Sequence, residues 1–313
     1  MPAVPTPAVP RLKDTMTEAY FNERLEGQGW PRFDAEKAND VAREAWQALQ
    51  HIYGLGVLET PLLRSPNLEA ACTSCRVHLK LESSQATGSF KLRGATHALA
   101  SLGGAGRVVT ASTGNHALAT VQAARALASR PEAPALEPVI FLPNTGTVAF
   151  ELLMALPRLH AVYVPVGGGG LVSGIASVLK AVDPCIKVIG CQPSASAVMA
   201  ASVEAGRLLQ DVISTETLSG ATAGGVEPGS LTFPVCRDLV DEWVQVSEEE
   251  IAAAMVDLAS WHALRVEGAA GVAVAALLRH VPGLRGKSVA VVLSGGNVSD
   301  DLMEEAHGIA RRS

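Results

Sequence analysis

Short β-branched runs alternate with alanine-rich stretches along most of this chain, and that alternation predicts its architecture. The runs are VHLKL at 77–81, RVVTA at 107–111, PVIFL at 138–142, AVYVPV at 161–166, KVIGC at 187–191 and SVAVVLS at 288–294. Near-continuous apolar strands separated by helices imply parallel sheets covered on both faces, an α/β fold. Ligands collect beyond the carboxyl ends of such strands, so the loops after these runs are where chemistry is sought. Upstream, apolar residues at three- and four-residue spacing predict a helix over 34–49, capped by Asp34 and broken by Gly54 and Gly56. The opening MPAVPTPAVPRLK lacks a continuous apolar core and is read as a disordered tail over 1–14 rather than a secretory signal. The stretch 159–179 carries no Asp, Glu, Lys or Arg, but Pro165 and four glycines interrupt it. A strand, a turn and a helix explain it better than a membrane span.

With 313 residues, 48% of them hydrophobic and 18% charged, the chain has the composition of a well-buried globular protein of one large or two unequal domains. An aromatic content of 4% predicts an aliphatic core. A net charge of −6 offers no basic footprint for nucleic acid or an anionic membrane, so a small-molecule partner fits better. Five cysteines, an odd number, suit free thiols in a reducing compartment, with the cytoplasm as default. Cys72 and Cys75 form a CxxC without a second pair, which predicts two packed thiols rather than a zinc site.

Four loops stand where chemistry is expected. SFKLRG at 89–94 heads an alanine-rich helix, and by itself its lysine reads first as a surface residue snorkelling from the first turn. STGNH at 112–116 precedes another helix, where small hydroxyl residues and free N–H groups make either an anion site or a plain cap. The four glycines at 167–170 lie between AVYVPV and a helix; without Cβ atoms, successive amides can converge on a phosphate. Their spacing is not GxGxxG, and no GK[ST] follows. SGGN at 294–297 closes the last strand and fails as a nucleophile elbow, since no glycine sits two residues before the serine.

In order and content these loops resemble the fold type II pyridoxal-phosphate enzymes, and within them the serine/threonine dehydratase and serine racemase group. ETPLL at 59–63, GCQP at 190–193, TAGGVEPGSLTFP at 222–234 and VEGAAGVAVAAL at 266–277 extend the likeness over nearly the whole chain. The resemblance implies a tryptophan-synthase-β-like α/β architecture of two parallel-sheet domains and pyridoxal 5′-phosphate as cofactor. It implies Lys91 as covalent anchor and as base near the substrate Cα, Phe90 against the ring, and Asn115 on the 3′-oxygen. Gly167, Gly168, Gly169, Gly170 and Leu171 would bind the phosphate, and Ser294 would face the ring nitrogen. Ser112, Thr113, Gly114, Asn115 and His116 would hold the substrate carboxylate, Thr113 standing where racemases carry a serine as second base. A neutral hydroxyl at Ser294 leaves the ring a weaker electron sink, which favours prompt loss of a β-hydroxyl.

The implied function is α,β-elimination from L-threonine or L-serine, giving a 2-oxo acid and ammonia, in a cytoplasmic homodimer acting on a small amino acid. An amino-acid racemase and a catalytically degenerate, cofactor-binding relative are the alternatives. The family's acidic metal pair falls on Ser214 and Gly220, so no metal is expected. The large domain is read as 15–100 and 146–313, and the small one as 101–145. After IFLPN at 140–144 the family continues with another strand and further helices, whereas Asn144 and Thr145 run straight into GTVAFELLMAL. The small domain is therefore read as truncated, and activity as impaired.

Overall fold

The computed structural model describes residues 17–72, 75–101, 112, 114–128, 144–280 and 283–312. Among them lies one six-stranded sheet: β1 (Leu62–Arg64), β2 (Arg76–Lys80), β3 (Ala161–Pro165), β4 (Lys187–Pro193), β5 (Glu242–Val246) and β6 (Ser288–Val292). Their order is β1-β2-β6-β3-β4-β5. Only β1 runs antiparallel to its neighbour. The runs at 107–111 and 138–142, which carry the expected second sheet, lie outside the described residues.

The innermost strands β6 and β3 are almost wholly apolar because both faces are covered. Successive residues point to opposite sides of a strand. Val162 and Val164 of β3, with Ala290 and Val292 of β6, join a core on one face, under helices that include Asp40–Ile52, Thr147–Ala155 and Gly170–Val182. Ala161 and Tyr163, with Val289 and Val291, join the core on the other, under Glu248–His262, Gly268–Arg279 and Asp300–Ala310. The first core departs from the aliphatic expectation. Phe21, Phe33, Trp46 and Phe150 pack together there with ring centroids 5.2 to 6.0 Å apart.

The early helix begins later than its periodicity predicts, at Asp40, and runs to Ile52. Asn39 caps it, accepting the Ala42 amide at 2.9 Å, while Asp34 instead closes a separate turn by accepting from Glu36 and Lys37. The stretch at 159–179 resolves into β3, the glycine turn and the start of Gly170–Val182, and no described helix is long and apolar enough to cross a membrane. All five cysteines are free; burial holds the Cys72 thiol up at about 12, with Cys75 beside it. The order of the sheet positions the site. β2, β6 and β3 are neighbours, so the loops beyond their carboxyl ends, carrying Lys91, Ser294 and the four glycines, are brought side by side.

Candidate active site

Those loops enclose a cavity of about 360 Å³. Phe90, Lys91, Asn115, His116, Gly167, Gly168, Gly169, Gly170, Leu171 and Ser294 all line it. Ser112 and Gly114 stand outside the lining; Ser112 instead accepts the Gly114 amide at 3.3 Å. Thr113 lies outside the described residues. The helix that follows begins at Asn115, not after His116, so both residues sit in its first turn.

Lys91 opens the helix Lys91–Ser101. The Phe90 amide donates to the Ser294 carbonyl at 3.1 Å and Ser89 bridges Gly295, which pins the lysine's turn to the loop after β6. Burial lowers the Lys91 pKa against the opposing pull of Glu267. More of this amine is therefore unprotonated, and nucleophilic, than of an exposed lysine. His116 is also lowered, first by burial and then by the Lys91 charge.

The glycines form the turn from β3 into Gly170–Val182. Gly169 caps that helix in the left-handed region, at φ +85°. Thr232 donates to the Gly168 carbonyl at 2.6 Å and Thr145 to the Gly170 carbonyl at 2.9 Å. In a trans peptide the next N–H points the opposite way, so Gly169 and Leu171 offer donors away from those threonines. First-turn amides lack intrahelical acceptors and sit at the positive dipole end, which suits an anion. A Cβ at Gly169 would stand 2.9 Å from Cys236 Sγ and from Thr232. Gly169→Ala adds that clash to a left-handed conformation costing about 1–2 kcal/mol. It is expected to weaken cofactor binding about tenfold or more, as 1.4 kcal/mol corresponds to tenfold; unchanged affinity in a fluorescence titration would count against the nest.

Sequence reasoning assigned no role to Glu267, which also lines the cavity. Its carboxylate accepts from Asn115 Nδ2 at 2.7 and 3.0 Å and from the Asn297 amide at 3.0 Å, while Asn297 Nδ2 donates to Asn115 Oδ1 at 2.7 Å. The amide of Asn115 is thus fixed at both ends. A Cβ on Gly295 would approach Glu267 Oε1 to 2.5 Å, so SGGN needs its first glycine to admit this carboxylate. The signal was present in VEGAAG, an acidic residue between an apolar one and a helix-opening glycine, but its partner is 152 residues away. Thr145 and Thr232 were likewise missed. Ser214 meets Ser196 hydroxyl to hydroxyl at 2.8 Å, and among the described residues no three His, Cys, Asp or Glu side chains converge as metal ligands would.

Compared with known proteins, residues 54–145 and 132–295 match the family described as "Pyridoxal-phosphate dependent enzyme". A putative threonine dehydratase of Sinorhizobium fredii is 35% identical over 307 residues, covering 82% of this chain and 92% of that protein. Among solved structures, a threonine deaminase of T.th. is 31% identical with a TM-score of 0.69, covering 82% of this chain and 98% of its own. Maize serine racemase is 26% identical with a TM-score of 0.70, covering 87% and 98%.

Proposed function

Because the chain belongs to the pyridoxal-phosphate-dependent enzymes, we propose that it is an ammonia-lyase converting a β-hydroxy amino acid, L-threonine or L-serine, to a 2-oxo acid and ammonia. The observation that carries this reading is the convergence of a lysine of lowered pKa, a glycine turn at a helix N-terminus and a neutral serine hydroxyl on one cavity. The residues present suit the cofactor. Gly168 and Gly170 leave open space where a Cβ would stand, on the cavity that Lys91 enters, and Ser294 is 5% exposed. Pyridoxal phosphate, when bound, supplies a conjugated ring that draws electrons from the substrate Cα.

The protein's residues do the rest. Gly167, Gly168, Gly169, Gly170 and Leu171 bind the phosphate through backbone amides, which costs no side-chain ordering. Phe90 packs against the ring, and Ser294 offers the ring nitrogen a hydroxyl without a charge. Lys91 anchors the cofactor and then takes the Cα proton, for which its lowered pKa suits it. With the ring a weak sink, loss of the β-hydroxyl as water relieves the charge at Cα; the 2-imino acid that follows takes up one water again, so the net products are ammonia and a 2-oxo acid. Asn115 is steadied by Glu267 and Asn297, and would hold the cofactor's 3′-oxygen through one of the N–H groups it now gives to the carboxylate.

Serine or threonine as substrate, the cytoplasm and a homodimer are carried over from the family resemblance, and the free cysteines support a reducing compartment. The domain division into 15–100 with 146–313 and 101–145 is likewise carried over from the resemblance; the six described strands belong to the first of these units. Racemisation is the second reading, favoured by the likeness to maize serine racemase. Incubation with L-serine and L-threonine, scoring 2-oxo acid and D-amino acid together, separates the two. We expect the 2-oxo acid in excess, and a dominant D-product would reverse the order.

A further inference from the structure

Arg93 is the largest fully buried side chain among the described residues, and the proposed reaction gives it no task. It lies two residues beyond Lys91, in the same helical turn. Its guanidinium grips Glu82 bidentately, Nε to Oε2 and Nη2 to Oε1 both at 2.8 Å, and reaches Glu151 Oε1 through Nη1 at 2.6 Å. Longer contacts go to Thr147 Oγ1 and the Leu58 carbonyl, each at 3.3 Å. Lys80, at the end of β2, balances the second carboxylate: its ammonium bonds Glu151 and the Thr60 carbonyl. Two cations and two carboxylates are thus enclosed together, none more than 2% exposed.

Stability is a poor explanation for such a cluster. Desolvation offsets most of the attraction in a buried ion pair, and apolar packing would serve as well. Its geometry, however, is restrictive, because a planar bidentate fork fixes direction as well as distance. Glu82 stands on the turn after β2, Arg93 on the helix that leaves the sheet toward 101, and Thr147 and Glu151 on the helix Thr147–Ala155 that returns. One guanidinium therefore ties the outgoing and returning chain to the sheet. Lys91 is held between this anchor and the backbone contacts of Ser89 and Phe90 with the loop after β6. We propose that Arg93, clamped by Glu82 and Glu151, is a positioning residue that sets where the Lys91 amine stands in the cavity. The proposal rests on the reading of Lys91 as the cofactor lysine. Lys80, equally buried, cannot substitute, since Glu151 and Thr60 occupy its ammonium.

The test follows covalent capture of pyridoxal phosphate by the full-length, cofactor-stripped chain, read as visible absorbance against pH. Arg93→Lys keeps the charge but cannot fork to Glu82 while reaching Glu151. Glu82→Gln keeps the shape and removes the charge. Glu267 and His116, the titratable groups that face Lys91, are intact in both. A loosened turn admits water to Lys91, so the midpoint of capture is expected to rise by about one pH unit, with capture at pH 7 about tenfold slower. Leu258→Ala, in the core across the sheet, should lower the melting temperature without moving either value. If Arg93→Lys does not fold, Glu82→Gln decides. Unchanged midpoints and rates, equal changes in Leu258→Ala, or loss of fold in both network variants would overturn the proposal. Wild-type protein that captures no cofactor at Lys91 would instead overturn the reading beneath it.

Discussion

Lys91→Ala is expected to abolish the lysine-bound cofactor band and to lower 2-oxo acid production by about 10⁴-fold, the upper end of what a positioned base contributes. Borohydride reduction of the wild type followed by peptide mapping should place the label on Lys91. The reason is electrostatic. Lys37, Lys80, Lys180 and Lys187 are engaged in ion pairs with Asp34, Glu151, Asp241 and Glu242. Lys91 forms no salt bridge among the described residues, and its burial favours the neutral amine that attacks an aldehyde. Lys287→Ala, remote from the cavity lining, should leave both measurements unchanged. Label on another lysine of folded protein would defeat the assignment.

On the reading of 101–145 as a truncated small domain, turnover is expected to be about a hundredfold below that of an enzyme whose small domain is complete, even with cofactor fully bound. The glycine turn and Lys91 sit on loops and helix starts directly beyond β3 and β2 of the six-stranded sheet, so cofactor capture draws on a described support. Substrate positioning does not. Ser112 and Gly114, expected on the substrate carboxylate, are outside the cavity lining. The helix Asn115–Ala128 that carries Asn115 and His116 leaves Leu118 51% and Val121 48% exposed, an apolar face without cover among the described residues. A displacement of about 1 Å in a positioning group can cost on the order of a hundredfold in rate. Stoichiometric visible absorbance with little 2-oxo acid is the expected signature; rates of about 10 s⁻¹, typical of enzymes, would refute it.

What the sequence determined by itself was local. The runs at 77–81, 161–166, 187–191 and 288–294 became β2, β3, β4 and β6 within two residues at each end, because strands buried on both faces are written as near-continuous apolar runs. The four glycines fixed the turn, which at Gly169, at φ +85° and against Cys236 and Thr232, a side chain could not make. Edge strands were illegible for the converse reason. β5 keeps Glu242 and Gln245 on a half-solvated border, and β1 is three residues long, so neither writes an apolar run. The helix start moved from Asp34 to Asp40 because both Asp34 and Asn39 can cap, and periodicity does not say which one does. The cavity itself was decided only by tertiary structure. Asn115 finds Glu267 across 152 residues and Arg93 finds Glu151 across 58. Such pairings leave no periodic trace, since a charge or amide acquires its partner only when the order β2-β6-β3 sets three distant loops side by side.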